Sequence, residues 1–336
     1  MRTEPKLISA RNYAAQAEAG LRKWARAPAN YKNRDFDVFF AELAAGIIKN
    51  AVHFAIPDNG EIFDDDLKGL VGRQVRLPFQ AITVEYFVDD QKSQHCEAAP
   101  TYSPRRLVLA FETEKNEVRD IQNQMGCAGT VDIFANFPDD RFTQFIVLNE
   151  IDGVWVPCPM SWIMPITWDY SPGGTVQLVT EPLVKFESKQ YFSGTPIPVL
   201  PGLFNLMCEM RGFDQAFRES LHDIGGEVRA VLELCEALAC SNVKIDTIQH
   251  ENKKANAKRA KNGKIPIYAT KTLSIVVPAT AQRTASQQGD RNSPRQHLRR
   301  GHVRRLQDDR QIWVNACAVG SSGLGRIDKS YNVFSA

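Results

Sequence analysis

The chain contains no apolar run near the roughly 18 residues that a membrane-spanning helix needs. Its first stretch, MRTEPKLISARNYAAQAEAG, lacks the apolar centre of a secretory signal. No membrane partner and no export are expected, and the expected compartment is the cytoplasm. Cysteine is present but unorganised. The seven residues, at 96, 127, 158, 208, 235, 240 and 317, form no CxxC pair and are odd in number, which fits reduced thiols rather than a disulfide framework. A zinc set would have to be assembled from His95 and Cys96 with the distant Cys127 and Cys158, so no metal is expected. Gly320–Gly325, reading Gly-Ser-Ser-Gly-Leu-Gly, has the wrong glycine spacing for a dinucleotide loop and reads as a turn between two strands, so no cofactor is expected either.

Net charge is also nearly absent, at +2 over 336 residues, but this is a cancellation. Residues 251–336 hold 17 Lys and Arg against 5 Asp and Glu, a net of +12, and residues 1–250 carry a net of −10. A basic lobe beside an acidic body is the electrostatic pattern of a protein that meets polyanions. A solvated tail, or a lobe packed on the acidic body, would have the same composition. Residues 1–250 are therefore expected to form an acidic α+β body. Residues 251–336 are expected to form a small, basic, β-rich C-terminal domain containing a flexible, Ala/Thr/Ser/Gln-rich loop at 279–294.

Periodicity supplies the elements of the body. Residues 8–26 have helical composition. Phe36, Phe39, Phe40, Leu43, Ile47 and Ile48 recur at helical spacing behind Asp35, which predicts a capped helix whose core face is this stripe. Apolar runs at 79–88, 106–112, 130–136, 141–148 and 154–157 predict strands, and most of the gaps are too short for crossover helices, so a mostly antiparallel sheet is expected. Residues 157–202 are dense in Pro, Trp and Gly. They are expected to be irregular, either packing Trp162 and Trp168 on the sheet or lining a groove in which those rings bind an extended peptide. A second helix is expected at 226–240, with Val228, Val231, Leu232, Cys235 and Leu238 on one face and Glu227, Arg229 and Glu233 off it. A short strand at 243–248 ends the body.

Chemistry concentrates in the basic segment. Lys253, Lys254, Lys258, Arg259, Lys261 and Lys264 form a basic run closed by Gly263, and as a helix it would set Lys254, Lys258 and Lys261 on one side, where they could track phosphates. The alternative is a solvated loop. A strand at 265–278 follows, then strands at 297–306, 311–319 and 326–334. The first of these three carries His297, Arg299, Arg300, His302, Arg304 and Arg305 around Gly301. Arginine offers fixed forks of donors to phosphate oxygens, and histidine exchanges protons near neutral pH. Binding alone needs only the arginines, with Trp313 as a stacking surface and Lys329 on the last strand. Metal-free cleavage of RNA would need His302 and His297 as base and acid, with Tyr331 as helper. The two histidines are five positions apart, so a regular strand points them to opposite faces. Either Gly301 marks a bulge that re-aims one of them, or only one serves. A plain Arg-rich edge strand is the simpler alternative.

At these residues the chain resembles a known family. Ser293-Pro294-Arg295-Gln296-His297-Leu298-Arg299-Arg300-Gly301-His302, followed by Ile312-Trp313-Val314-Asn315-Ala316 and Val319-Gly320, is similar to the C-terminal signature of the second type V-A anti-CRISPR family, which is spread through phage and mobile-element genomes. Gln296 and Val303 depart from the family's usual proline and aromatic. The resemblance covers about residues 225–336. It implies a phage-encoded protein, acting in the cytoplasm of a bacterial host, that recognises a nascent polypeptide through its body and engages mRNA or the ribosome through its basic part, so that the message is lost. A metal-independent endoribonuclease acting directly, and a nucleic-acid-binding accessory phage protein, are the alternatives.

Overall fold

The computed structural model describes residues 8–62, 76–88, 103–117, 120, 140–151, 153–165, 195–275, 295–299, 302–307, 310–314, 317–319 and 321–327. The expected strand at 130–136, the loop at 279–294, and Trp168, Arg300, Lys329 and Tyr331 lie outside them. The fold is α+β. Nine strands form one mixed, mostly antiparallel sheet: β1 (Val52–Ala55), β2 (Ala81–Phe87), β3 (Arg105–Glu114), β4 (Arg141–Ile151), β5 (Val154–Pro157), β6 (Met160–Pro165), β7 (Thr195–Pro198), β8 (Val243–Gln249) and β9 (Thr270–Ile275). Their order is β7-β6-β4-β3-β2-β1-β9-β8, with β5 also paired to β4. The short β1, which no periodicity announces, runs parallel to both β2 and β9; the other pairings are antiparallel.

Both faces of the central strands are covered, which is why they read as apolar runs. Val108, Ala110, Phe145 and Val147 face one cluster; Leu107, Leu109, Ile146 and Leu148 face the other. The second cluster is closed by α1 (Tyr13–Arg26) and α2 (Arg34–Asn50). The first is closed by α3 (Pro201–Arg211) and α4 (Phe213–Leu238).

Four expectations for the body are corrected. The inward face of α2 is Asp37, Phe40, Ala41, Ala44, Ala45 and Ile48, whereas Phe39 is 51% exposed and Leu43 37%. That face holds three alanines, and α1 also meets the core through Ala14, Ala15, Ala17 and Ala25, so close helix packing selected the small residues over the bulky stripe. The residue at the start of α2 is Asn33, not Asp35. The second helix begins at Phe213, well before 226, and is preceded by the unexpected α3, while the segment read as irregular, 157–202, holds strands β6 and β7 and only the first two residues of α3. Glu227 and Glu233, expected off the apolar face, are buried, because the second half of α4 is enclosed on nearly all sides.

Buried carboxylates are used to hold helix ends. Asp37 accepts from the N–H groups of Gly202 (3.0 Å) and Leu203 (2.8 Å) at the start of α3, and from the Tyr31 hydroxyl (3.0 Å). Glu85 on β2 accepts from the N–H groups of Arg11 (2.7 Å), Asn12 (3.3 Å) and Tyr13 (2.6 Å) at the start of α1. Burial pushes both carboxyls above their ordinary pKa, and these hydrogen bonds oppose that shift. Glu233 accepts from Ile62 N–H (2.7 Å) and Arg229 Nε (2.6 Å).

Beyond the large sheet, the strand expected at 297–306 is two strands, β10 (Arg295–Arg299) and β11 (His302–Arg305). β11 pairs with β12 (Gln311–Val314), and β10 lies between β13 (Cys317–Val319) and β14 (Ser321–Ile327). The glycine-rich 320–325 segment is thus mostly strand β14 and not the expected turn.

Candidate nucleic-acid interface

Residue 250, where the composition turns basic, lies inside the β8–β9 hairpin at the free edge of the large sheet. The compositional change is therefore not a break in that sheet. The connection between the two strands is a helix, α5 (Lys253–Lys261). It buries none of its residues. Asn252 caps it by accepting from Ala255 N–H (3.0 Å). Nine residues with five cations make a poor helix in isolation, since helices this short are marginal in water and like charges repel along a face. What maintains it is the strap that follows.

Residues 265–268 pass beside α5, and side chains take up most of their backbone polar groups. Asn256 accepts from Ile267 N–H (2.9 Å) and donates to Ile267 C=O (2.8 Å). Arg259 Nε donates to Ile265 C=O (2.7 Å). From the other side, Asn12 donates to Pro266 C=O (2.9 Å) and accepts from Tyr268 N–H (3.0 Å), and Gln249 Nε2 donates to Tyr268 C=O (2.8 Å). Asn12 stands at the head of α1 in a left-handed conformation (φ 58°) that asparagine tolerates. Its amide serves the strap instead of its own helix, and Glu85 supplies the missing cap. Tyr268 completes the anchor. Its ring stacks on buried His53 (centroids 4.9 Å apart, planes 8° apart), and its hydroxyl donates to Glu18. His53 Nδ1 lies 2.8 Å from Thr83 Oγ1. Burial lowers the imidazole pKa to about 4, so the ring is neutral. Burial raises the Tyr268 hydroxyl far above its usual range, helped by the Glu18 carboxylate.

The anchored helix presents charge. Lys253, Lys254, Lys258, Lys261 and Lys264 are exposed, and none forms an ion pair with a described residue. Lys254, Lys258 and Lys261 share one side, stepped by about 6 Å and 4.5 Å along the axis. Arg259 is half-buried, because one of its N–H groups belongs to the strap. The sequence read these cations but not Asn256, whose partner Ile267 lies 11 residues on, nor Asn12 and Tyr268, whose mutual contact spans 256 residues.

The other sequence-derived residues fall as follows. His297 and Arg299 lie on β10, and His302, Arg304 and Arg305 on β11, so the two histidines stand on strands of two different small sheets. Arg304 is exposed. Trp313 lies opposite Val303 in the β11–β12 pair. Gln311, at the start of β12, ties this pair to the end of α4: its C=O accepts from Ser241 N–H (2.9 Å) and Oγ (3.0 Å), and its Nε2 donates to buried Glu236 (3.2 Å). Trp162 is only 6% exposed, within the cluster under α4, and its indole N–H has no partner among the described residues. It offers no open ring to a peptide.

Cys158 is buried with its thiol donating to Ser220 C=O (3.4 Å), and burial pushes the Cys235 thiol up to about 12. Among the described residues no three His, Cys, Asp or Glu side chains converge as a metal site, and no helix is long and apolar enough to cross a membrane. No family model matches the chain, and neither a curated protein nor a solved structure is found to be similar to it.

Proposed function

We propose that the chain is an RNA-associated regulator that holds phosphate backbones on α5 and on the arginine-bearing strands of its basic C-terminal part. The observation that carries this reading is α5 itself. A helix that buries nothing contributes no core, yet Asn252, Asn256 and Arg259 keep it ordered. That arrangement serves the presentation of the four exposed lysines of α5, with exposed Lys264 just beyond it. They stand at the edge of the sheet and form no ion pair with a described residue, as a polyanion site requires.

The target comes from the C-terminal resemblance alone. On it, the chain silences a specific gene in the cytoplasm of a bacterial host, through a nascent peptide and the loss of its message. In this reading the protein is an adaptor, because His297 and His302 occupy different small sheets and no acid–base pair is formed on one strand.

The test is RNA binding by the full chain across a salt series. Lys254→Glu/Lys258→Glu/Lys261→Glu should weaken binding to all sequences alike. It should also flatten the dependence of log K on log salt by about 2, as expected for three lost contacts to a single strand. Unchanged affinity and slope would remove α5 from the interface.

A further inference from the structure

Helix α2 carries a second apolar stripe, on its solvent side. Phe36, Phe39, Leu43 and Gly46 succeed one another at spacings of three, four and three, the seam spacing of paired helices. The face that packs against α1 and the sheet is centred on Phe40, Ala41, Ala44, Ala45 and Ile48, and of the stripe Phe36 also rests against that core. Phe39 is half-exposed, its ring centroid 6.2 Å from that of the partly buried Phe36. A Cβ placed on Gly46 would meet nothing within 4 Å. The seam therefore runs from bulky to empty.

This gradient discriminates between ways of covering it. A parallel partner copy would set Phe36 on Phe36 and Gly46 on Gly46, crowding one end and leaving the other open. An antiparallel copy sets each Phe36 over the partner's Gly46 and each Phe39 beside the partner's Leu43, so bulk meets space throughout. The charges agree. Asp35, Glu42 and Lys49 lie along one flank at seven-residue intervals. Parallel pairing sets this flank against the partner's other flank, where it meets no charge of its own set. Antiparallel pairing brings Asp35 level with Lys49 twice, and at the centre each Glu42 is already held by its own Arg22 (2.6 Å). We infer that the outer face of α2 is a self-pairing surface, on which two copies of this chain associate about a two-fold axis with their α2 helices antiparallel. A 17-residue helix is about 25 Å long, so the contact is smaller than the 1,200 Å² or more typical of stable complexes, and the dimer is a weak one. This inference does not rest on the RNA reading.

Sedimentation of the full chain, from low micromolar to several hundred micromolar at low salt, tests it. The wild type should pass from monomer to dimer. Gly46→Leu is the decisive variant: it fills open space on a helix, so the fold should melt no lower than wild type, while association weakens roughly tenfold or more. Phe39→Glu should act likewise on association. Asp35→Lys should weaken the dimer, and Asp35→Lys combined with Lys49→Asp should restore it. A wild type that stays monomeric throughout overturns the proposal. So does a dimer indifferent to Gly46→Leu and Phe39→Glu, or one not rescued by the charge exchange.

Discussion

Replacing His53 by phenylalanine should reverse the chain's order of stability between neutral and mildly acidic pH. His53 is 6% exposed, and its imidazole pKa is held at about 4 by burial. In the unfolded chain the ring titrates near 6.5. As pH falls, the unfolded state takes up the proton first. The stability from burying the neutral ring is therefore fully present above about 6.5 and is lost as pH falls towards 4. A shift of about 2.5 units corresponds to roughly 3 kcal/mol. Phenylalanine keeps a ring to stack on Tyr268 but does not titrate, and it leaves the Thr83 hydroxyl without its 2.8 Å partner, a loss of about 1 kcal/mol. The variant should be about 1 kcal/mol less stable than wild type near pH 7.5, and more stable by about 2 kcal/mol near pH 4.5.

The comparison must be a difference between the two proteins. The raised carboxyls of Asp37 and Glu85 work in the opposite sense: their contribution is full below the unfolded pKa and is lost as pH rises through the folded one. Both are common to wild type and variant, so they cancel. Denaturant unfolding at the two pH values supplies the stabilities, and the imidazole carbon shifts of His53 supply its titration directly. Parallel stability curves, or a His53 resonance that titrates near 6.5, would refute the argument.

Two further outcomes are expected. Asn256→Ala removes both bonds to Ile267 while keeping every positive charge; it should cost α5 about 2 kcal/mol of local stability, seen as faster amide exchange in Lys253–Lys261. RNA affinity should fall several-fold, and unchanged affinity with a melted α5 would mean that its lysines act as solvated charges without need of the helix. Gly202→Ala places a Cβ 2.6 Å from the Lys32 carbonyl oxygen and 2.8 Å from Asp37 Oδ2, where the backbone cannot yield; a loss of about 3 kcal/mol in thermal unfolding is expected, and an unchanged midpoint would contradict the packing at the start of α3.

What could be read from the sequence was local. The basic helix was legible because its lysines recur over nine residues, and the strands at 79–88, 106–112, 141–148 and 154–157 because each is a short apolar run. Which side of a helix turns inward was not legible. The stripe through Phe36, Phe39 and Leu43 has the right period, but the alanines one position away let α1 and α2 approach closely, and no period distinguishes the two faces. Glu227 and Glu233 looked like solvent positions for a related reason: a helix enclosed on nearly all sides hides its polar residues inside, where Glu233 serves Ile62. The strap was invisible because Asn12 and Pro266 are 254 positions apart. The path from His297 to His302 is legible only as composition, since nothing local says that one basic run divides between two small sheets.

The buried acids also bear on the charge that surrounds the basic helix. Five of the body's carboxylates, Asp37, Glu85, Glu227, Glu233 and Glu236, are buried, so the acidic count of residues 1–250 overstates the negative surface that α5 faces. Two of these acids sit at the positive ends of helices, Glu85 on α1 and Asp37 on α3, and compensate the helix dipoles there. At α5 the corresponding position is taken by the neutral amide of Asn252. The cap itself thus brings no charge to the end where Lys253 and Lys254 are exposed, and the exposed Glu251 just before it is the acid nearest in sequence. Two lysines at a helix N-terminus oppose the dipole and cost stability there. That cost is offset by the amide clamps of the strap. On the reading proposed above, a phosphate backbone along the Lys254–Lys258–Lys261 side of α5 would relieve that cost.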